Sequence, residues 1–336
     1  MIHDCIEFHN VAELFLDEKE GLRLQRVPES VRQHLNDRAQ MKMLAAAATE
    51  IRFAADGDRV TVRLSSEEGC ELIPFFGPLQ GKDRIRIEPE ARDIEITVPE
   101  RFEDVDLSAF GGSAFSTNVW RLTLRGNDIR YHGIEGEGLR PPEPDELPSI
   151  RYLSYGTSIT HGAAATASHL TYVAQAAWRL GADLINLGLG GSAWCEPELA
   201  DYIGDRDDWD VASLALSVNM IGGGFGDDEF RERVTYMVEQ VAGRHPDRPV
   251  ACITLYPHFR DFGRDQELAD KSRRFRQILR DVHGELNLPN TRLFKGTDLL
   301  EPGGLSVDLI HPGDLGMIQM GEGLAAGMKE MMESQT

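Results

Sequence analysis

Ser158, Asp308 and His311 are the side chains of this 336-residue chain whose types and settings could together move an acyl group. A β-rich run, Tyr152-Leu153-Ser154-Tyr155, stops at Gly156, and Thr157-Ser158-Ile159-Thr160-His161 follows where the chain should turn into a helix. A hydroxyl at such a turn sits at the carboxyl edge of a sheet, beside backbone N–H groups. Open α/β sheets bind ligands there, and hydrolases seat a nucleophile there. The same serine would also serve as a plain helix cap, so its partners matter. Asp308-Leu309-Ile310-His311-Pro312 offers them. An Asp three residues before a His, on a loop held by proline, lets the carboxylate fold back onto the imidazole. It can accept the Nδ1–H and leave Nε2 to take a proton from a serine.

Two further stretches sit where strands should end. Asn186-Leu187-Gly188-Leu189-Gly190-Gly191-Ser192 is rich in glycine, which lets backbone approach a ligand and aim an N–H at it. Ser217-Val218-Asn219-Met220 carries an asparagine whose amide is a neutral donor. Donors of these kinds converging on one point would stabilise a developing oxyanion. Tight turns and loop geometry account for the same residues one by one. Their order at the ends of successive strands is what four independent turns would not explain.

The elements that must position these groups follow from periodicity. Strands are expected at 150–155, 183–187, 211–218, 250–256 and 291–294, with helices at 169–180, 228–242, 266–282 and 312–332. Alternation at this spacing predicts a parallel sheet covered by helices. The first 145 residues read differently, as short alternating strands with Gly and Asp turns. Ile51 and Phe53 and then Val60, Val62 and Leu64 flank Ala55-Asp56-Gly57-Asp58 as a hairpin. Runs at 84–87, 93–98, 119–124 and 129–131 alternate in the same way. The pattern predicts an antiparallel, jelly-roll-like β-sandwich, with helix inserted at 31–35 and 41–47. Residues 140–148, Arg-Pro-Pro-Glu-Pro-Asp-Glu-Leu-Pro, form a stiff acidic connector, which divides the chain into 1–145 and 146–336.

From about 150 to 330 the chain resembles the SGNH hydrolase superfamily, the GDSL-type esterases and lipases. The resemblance rests on four blocks: Gly156-Thr157-Ser158-Ile159, Asn186-x-Gly188-x-x-Gly191, Asn219, and Asp308-x-x-His311-Pro312. Thr157 stands where the first block usually has Asp, and the Asn219 block lacks the usual Gly before and Asp after. The wording around Ser158, with Glu196-Pro197-Glu198, is similar to a bacterial subgroup carrying an extra N-terminal β domain. The resemblance implies a flavodoxin-like α/β/α sandwich and a serine enzyme needing no metal or organic cofactor. It implies Ser158 as nucleophile, His311 as base and later acid, and Asp308 as orienting carboxylate. The oxyanion hole would be the Ser158 and Gly191 N–H groups with the Asn219 side chain.

Composition narrows the partners. With 56 acidic against 35 basic side chains the formal charge is −21, which disfavours nucleic acid and anionic membranes. Cys5, Cys70, Cys195 and Cys252 are scattered and read as buried thiols. No signal peptide is evident, no apolar run is long enough to span a bilayer, and a cytoplasmic location is expected. Trp194 offers a flat surface for a sugar or acyl chain, or core packing, and His258 lies where it could line the same mouth. His161, in the first helical turn, should lean away from the serine as pocket wall or cap. Gly222-Gly223-Gly224-Phe225-Gly226 lacks phosphate-loop spacing and reads as a mobile loop beside the site. The leading expectation is an esterase for a short acyl group such as acetyl on a small-molecule or oligosaccharide alcohol. An acyltransferase using the same residues, and a non-catalytic binding protein on the same fold, are the alternatives. The β domain would pack, contact another copy of the chain in a homo-oligomer, wall the cleft or bind carbohydrate.

Overall fold

The chain folds into two compact units, each with its residues closer to one another than to the other's, in a computed structural model that describes residues 1–110 and 114–334. One unit comprises Met1–Arg32, Met41–Ser149 and Gly181–Asp183. The other comprises Gln33–Gln40, Ile150–Leu180 and Leu184 onward.

The first unit holds two antiparallel sheets. One runs in the order β1 (Ile2–His3), β2 (Ile6–His9), β5 (Thr49–Phe53), β11 (Trp120–Gly126), β7 (Cys70–Phe76), β8 (Leu79–Gln80), with β9 (Ile85–Ile87) also on β7. The other runs β10 (Arg92–Thr97), β6 (Arg59–Ser66), β12 (Ile129–Gly136), β4 (Leu22–Gln25), β3 (Glu13–Phe15). Alternation supplies the faces: Val60, Val62 and Leu64 of β6 and Ile94 and Ile96 of β10 turn inward, and the residues between them are more exposed. Phe8, Ile51, Leu72 and Leu122 from one sheet share a single apolar cluster with Val62 and Tyr131 from the other, as a sandwich requires.

The hairpin expected around Ala55-Asp56-Gly57-Asp58 does not form. β5 pairs with β2 and β11, whereas β6 pairs with β10 and β12, so the loop is an arch from one sheet to the other. Asp56 N–H donates to the Glu137 carbonyl and Ala54 bridges Arg140, which ties the arch to a distant segment. Strand β7 was obscured in the sequence by Pro74. The proline fits because β9 pairs with Cys70–Leu72 and β8 with Phe75 and Phe76, leaving position 74 between them where no N–H is needed. The inserted helices are α1 (Glu29–Arg32) and α2 (Asp37–Lys42), shorter than expected. Ala45 and Ala46 instead pair with Asn127 and Gly126. Residues 140–148 are clasped to themselves: Arg140 grips Glu146 at 2.7 and 2.8 Å, and the compact unit extends through Ser149.

The second unit carries a sheet in the order β14 (Ala182–Gly188), β13 (Ile150–Gly156), β15 (Val211–Ala215), β16 (Val250–Ile253), β17 (Thr291–Phe294). The pairs β13–β15, β15–β16 and β16–β17 are parallel. β14, β15 and β16 are buried along their whole length, as strands covered on both faces must be. Order reverses after the first strand, so right-handed crossovers put α4 (Tyr172–Leu180) on one face and α5 (Pro197–Gly204), α7 (Asp227–Val238) and α9 (Gln266–Leu286) on the other. The closing helix α10 (Asp314–Ser334) returns to pack on α4, and α7 meets α9 through Phe230 and Phe275 rings stacked 3.9 Å apart. The reversal lies at the carboxyl ends of β13 and β15, where this topology opens a crevice.

Candidate active site

Strand β13 ends at Gly156 and the chain turns into α3 (Ser158–His161). The cap of this short helix is Thr157, whose Oγ1 accepts the Ile159 N–H at 3.3 Å. Ser158 is therefore released from capping, half-buried, with its hydroxyl turned to another partner. Asn186 braces the turn: its Oδ1 accepts the Gly188 N–H and its Nδ2 donates to the Thr160 carbonyl, each at 2.8 Å. The backbones of β14 and α3 meet here. A Cβ on Gly188 would lie 2.4 Å from the His161 nitrogen, which explains a glycine two residues after the asparagine. His161 directs Nδ1 to the Gly188 carbonyl at 3.3 Å, and its own N–H donates to the Thr157 carbonyl. It serves the turn.

Asp308 and His311 share a loop closed by local bonds. Ser306 N–H donates to the His311 carbonyl at 2.7 Å, Leu309 N–H to the Ser306 carbonyl at 2.9 Å, and Leu305 bridges Pro312. Leu309 takes the left-handed conformation with φ 55°, which costs roughly 1–2 kcal/mol for a residue with a Cβ. That reversal swings the Asp308 carboxylate back. Oδ1 accepts from Ser306 Oγ and from the Ile310 and His311 N–H groups, all at 2.9 Å, and Oδ2 accepts from His311 Nδ1 at 2.6 Å. Burial alone would raise the Asp308 pKa. The bond from the His311 ring and those from its neighbours' N–H groups and Ser306 hold it well below the ordinary carboxylate range instead. An ionised Asp308 keeps the ring proton on Nδ1, so Nε2 is the acceptor. It lies 2.7 Å from Ser158 Oγ, across 153 residues of sequence.

Gly191 and Asn219 belong to neighbouring loops. Gly191 adopts φ 70°, where glycine is unstrained. Asn219 does not end a strand: β15 stops at Ala215, and the asparagine opens α6 (Val218–Gly222) after Ser217. Its Oδ1 accepts the Ala193 N–H at 3.2 Å, which assigns the amide and leaves Nδ2 as a spare donor. Ser217 Oγ donates to the Ala193 carbonyl, so Ala193 is held from both sides. Among the described residues no acceptor meets the Ser158 N–H, the Gly191 N–H or Asn219 Nδ2.

Trp194 is partly exposed, with its ring 5.5 Å from that of Phe225 at a 59° tilt. Phe225 is only 8% exposed and Arg233 stacks over it, so the glycine-rich loop is pinned by its own aromatic. His258 is not at a mouth. It is 1% exposed, with Nδ1 3.0 Å from the Tyr256 carbonyl and Nε2 3.2 Å from Ser272 Oγ, and desolvation lowers its pKa. Its place before α8 (Phe259–Phe262) makes it a cap, because Pro257 and the apolar strand end carry it inward. Of the four thiols Cys5 is exposed, contrary to expectation, and the other three are buried and free. Sequence reasoning missed Ala193, which shows no side-chain signal. It also missed the brace between Glu196 and Asn36, whose signal was a lone Glu on a glycine-rich loop. Among the described residues no three His, Cys, Asp or Glu side chains are grouped to hold a metal ion, and no helix is long and apolar enough to cross a membrane.

Residues 151–328 match the model of the GDSL-like Lipase/Acylhydrolase family. A salicylyl-acyltransferase from a tetracycline biosynthetic pathway superposes with a TM-score of 0.77 at 17% identity, over 98% of this chain and 95% of that one. A GDSL-like lipase from Bacteroides ovatus gives 0.69 at 18% identity over 98% of both chains. A family two carbohydrate esterase from Cellvibrio japonicus gives 0.62 at 14% identity, over 89% of this chain and 93% of that one. At these identities the likeness is one of fold. Comparison with curated protein sequences finds no match.

Proposed function

This chain belongs to the GDSL-like lipase/acylhydrolase family, and from that premise we propose that it is a serine esterase acting on a short acyl group, acetyl above all, carried by a carbohydrate or similar alcohol. The observation that carries the reading is the row of hydrogen bonds from Asp308 through His311 to Ser158, at 2.6 and 2.7 Å, ending on a hydroxyl freed from capping by Thr157. In this reading His311 Nε2 takes the Ser158 proton as Oγ attacks the ester carbonyl. Charge collects on the carbonyl oxygen, and the Ser158 and Gly191 N–H groups and Asn219 Nδ2 are the donors proposed to receive it. Collapse returns the proton to the leaving alcohol and leaves the acyl group on Ser158. Water, deprotonated by the same imidazole, then releases the acid.

The small acyl group is favoured because Trp194 and Phe225 are the large apolar side chains of the neighbouring loops and are occupied with each other. The carbohydrate part is supported by the likeness of fold to a family two carbohydrate esterase. Acyl transfer to an alcohol is the second reading, and it differs only in what resolves the acyl-enzyme. The salicylyl-acyltransferase whose fold spans 98% of this chain keeps it open. p-Nitrophenyl acetate turnover by the wild type and by Ser158→Ala tests the mechanism. Full activity in the alanine variant, or fluorophosphonate labelling that maps to another residue, overturns it. Adding candidate sugar acceptors and separating acid from new ester decides between hydrolysis and transfer.

A further inference from the structure

Arg38 is a cation placed against the loop that carries Gly191. It belongs to Gln33–Gln40, a segment from the first part of the chain that is compact with the second unit. Asn36 is the hinge of that placement. Its Oδ1 accepts the Ala39 N–H at 3.0 Å and starts α2, while its Nδ2 donates to the Ser192 carbonyl at 3.2 Å and to Glu196 Oε1. Two residues on, the Arg38 guanidinium lies directly on Gly191. A Cβ built there would stand 2.5 Å from Arg38 Cζ and 2.6 Å from Nη2. The guanidinium fills the space a side chain at 191 would need.

Arg38 is also uncommitted. It is exposed, and among the described residues no carboxylate or carbonyl pairs with it. Its neighbour in sequence, Arg32, is by contrast gripped by Glu29 at 2.6 Å through two nitrogens. The carboxyl group closest along the loop, Glu196, is buried and engaged by Asn36 and by the Trp194 N–H, and burial pushes its pKa up. In a chain with 21 more acidic than basic side chains, an unpaired guanidinium against Gly191, whose N–H is a spare donor, is a local reversal of sign. Guanidinium groups bind carboxylates through two parallel N–H bonds, and a neutral ester makes no such use of them.

We propose that Arg38 is a specificity-determining residue that selects esters bearing a carboxylate close to the reacting carbonyl. The inference rests on the proposed esterase reading for Ser158. Its test compares three probes: neutral p-nitrophenyl acetate, mono-p-nitrophenyl succinate with the carboxylate on the acyl side, and 4-carboxyphenyl acetate with it on the alcohol side. Arg38→Ala is expected to lower the ratio of kcat/KM for one anionic ester over the neutral one by about tenfold or more, as loss of a charged bidentate contact does. Arg38→Lys should restore part of the ratio, and 0.5 M salt should erode it in the wild type. The anionic ester that responds identifies the side of the substrate. Ratios unchanged within about twofold for both anionic esters, or an equal fall on all three probes, overturn the proposal. Affinity of the Ser158→Ala protein for mono-p-nitrophenyl succinate, with and without Arg38→Ala, gives a reading without turnover. A wild type that hydrolyses none of the probes sinks the esterase reading, and this affinity difference still decides Arg38.

Discussion

The buried charges of the β-sandwich unit are paired with opposite charges and carbonyls, whereas the polar groups at the strand ends of the α/β unit form a row that stops on a hydroxyl. Glu50 receives Arg52 Nε at 2.7 Å and Arg121 Nε at 2.8 Å. Arg130 clasps Asp17 at 2.7 and 2.8 Å, and Arg26 donates to the Ala45 and Lys42 carbonyls. Burial by itself would raise the Glu50 pKa, yet Arg121 and Arg52 hold it far below the usual range. These networks pair charge with opposite charge or with carbonyls, as scaffolding does, and among the described residues Arg130 Nε is the buried guanidinium nitrogen of this set without a partner. The Asp308–His311–Ser158 row ends instead on a serine oxygen with lone pairs to spare, and the Asn219 amide of the same unit leaves Nδ2 unused. Unspent polar capacity on a braced turn is the mark of a site, and charge alone is not.

Breaking the open row should have the largest effect. Asp308→Asn removes the acceptor that keeps the proton on His311 Nδ1 and is expected to lower kcat on p-nitrophenyl acetate by about 10⁴-fold. A fall of less than tenfold, with the fold intact by circular dichroism, would mean that the row is not the chemistry. Breaking a buried ion-pair network should cost stability instead. Glu50→Ala takes the carboxylate from Arg121 and leaves the Arg52 guanidinium with its hydrogen bonds to Asp183, and should remove about 3–5 kcal/mol in urea unfolding, while the folded protein keeps its kcat on p-nitrophenyl acetate. A lost kcat at full stability would erase the distinction between the two regions.

Asn219→Ala sharpens the contrast from the other side. If Asn219 is the oxyanion donor proposed, its loss should cost about 10²–10³ in kcat with little change in KM. Because the Ala193 N–H would also lose its partner, Asn219→Asp serves as the check: it keeps the acceptor and removes the donor, and it should be as slow. The smallest expected effect is acid sensitivity in the sandwich. The hydrogen bond from Arg130 draws the Asp17 pKa down to about 2 in the folded chain, against about 3.9 for an unfolded aspartate. Between those values the unfolded chain binds more protons, so the stabilisation is complete above about pH 4 and disappears as pH falls toward 2. Asp17→Asn should flatten the fall of the urea midpoint over that window. A slope equal to the wild type would show that the pair contributes nothing.

Much of the second unit was legible because its signals are local. Buried apolar runs alternating with amphipathic helices predict a covered parallel sheet, and β17 occupies Thr291–Phe294 as read. Asp308, three residues before His311, could be paired on paper because a tight loop makes that contact by itself. The first unit was less legible. β5 and β6 looked like a hairpin because their turn residues suit one, yet which sheet each strand joins depends on distant partners. β7 was hidden by Pro74, a residue acceptable only because two short strands leave a gap beside it. His258 looked like a mouth residue because it follows a strand, and the packing of α8 and α9 buries it.

What the sequence by itself determined is therefore the chemistry each short segment can offer. A serine stands just past Gly156, an Asp-His pair sits on one loop, and glycines and an asparagine follow strands; each is an arrangement that bonds between near neighbours enforce. Tertiary structure decided which of these meet and in what state. It set His311 against Ser158 across 153 residues, turned the Asn219 oxygen toward Ala193, and laid Arg38 on Gly191. The reason is physical. Turn geometry is fixed by hydrogen bonds a few residues long, whereas the meeting of distant segments is settled by burying apolar faces, and polar groups take the partners which that burial leaves within reach.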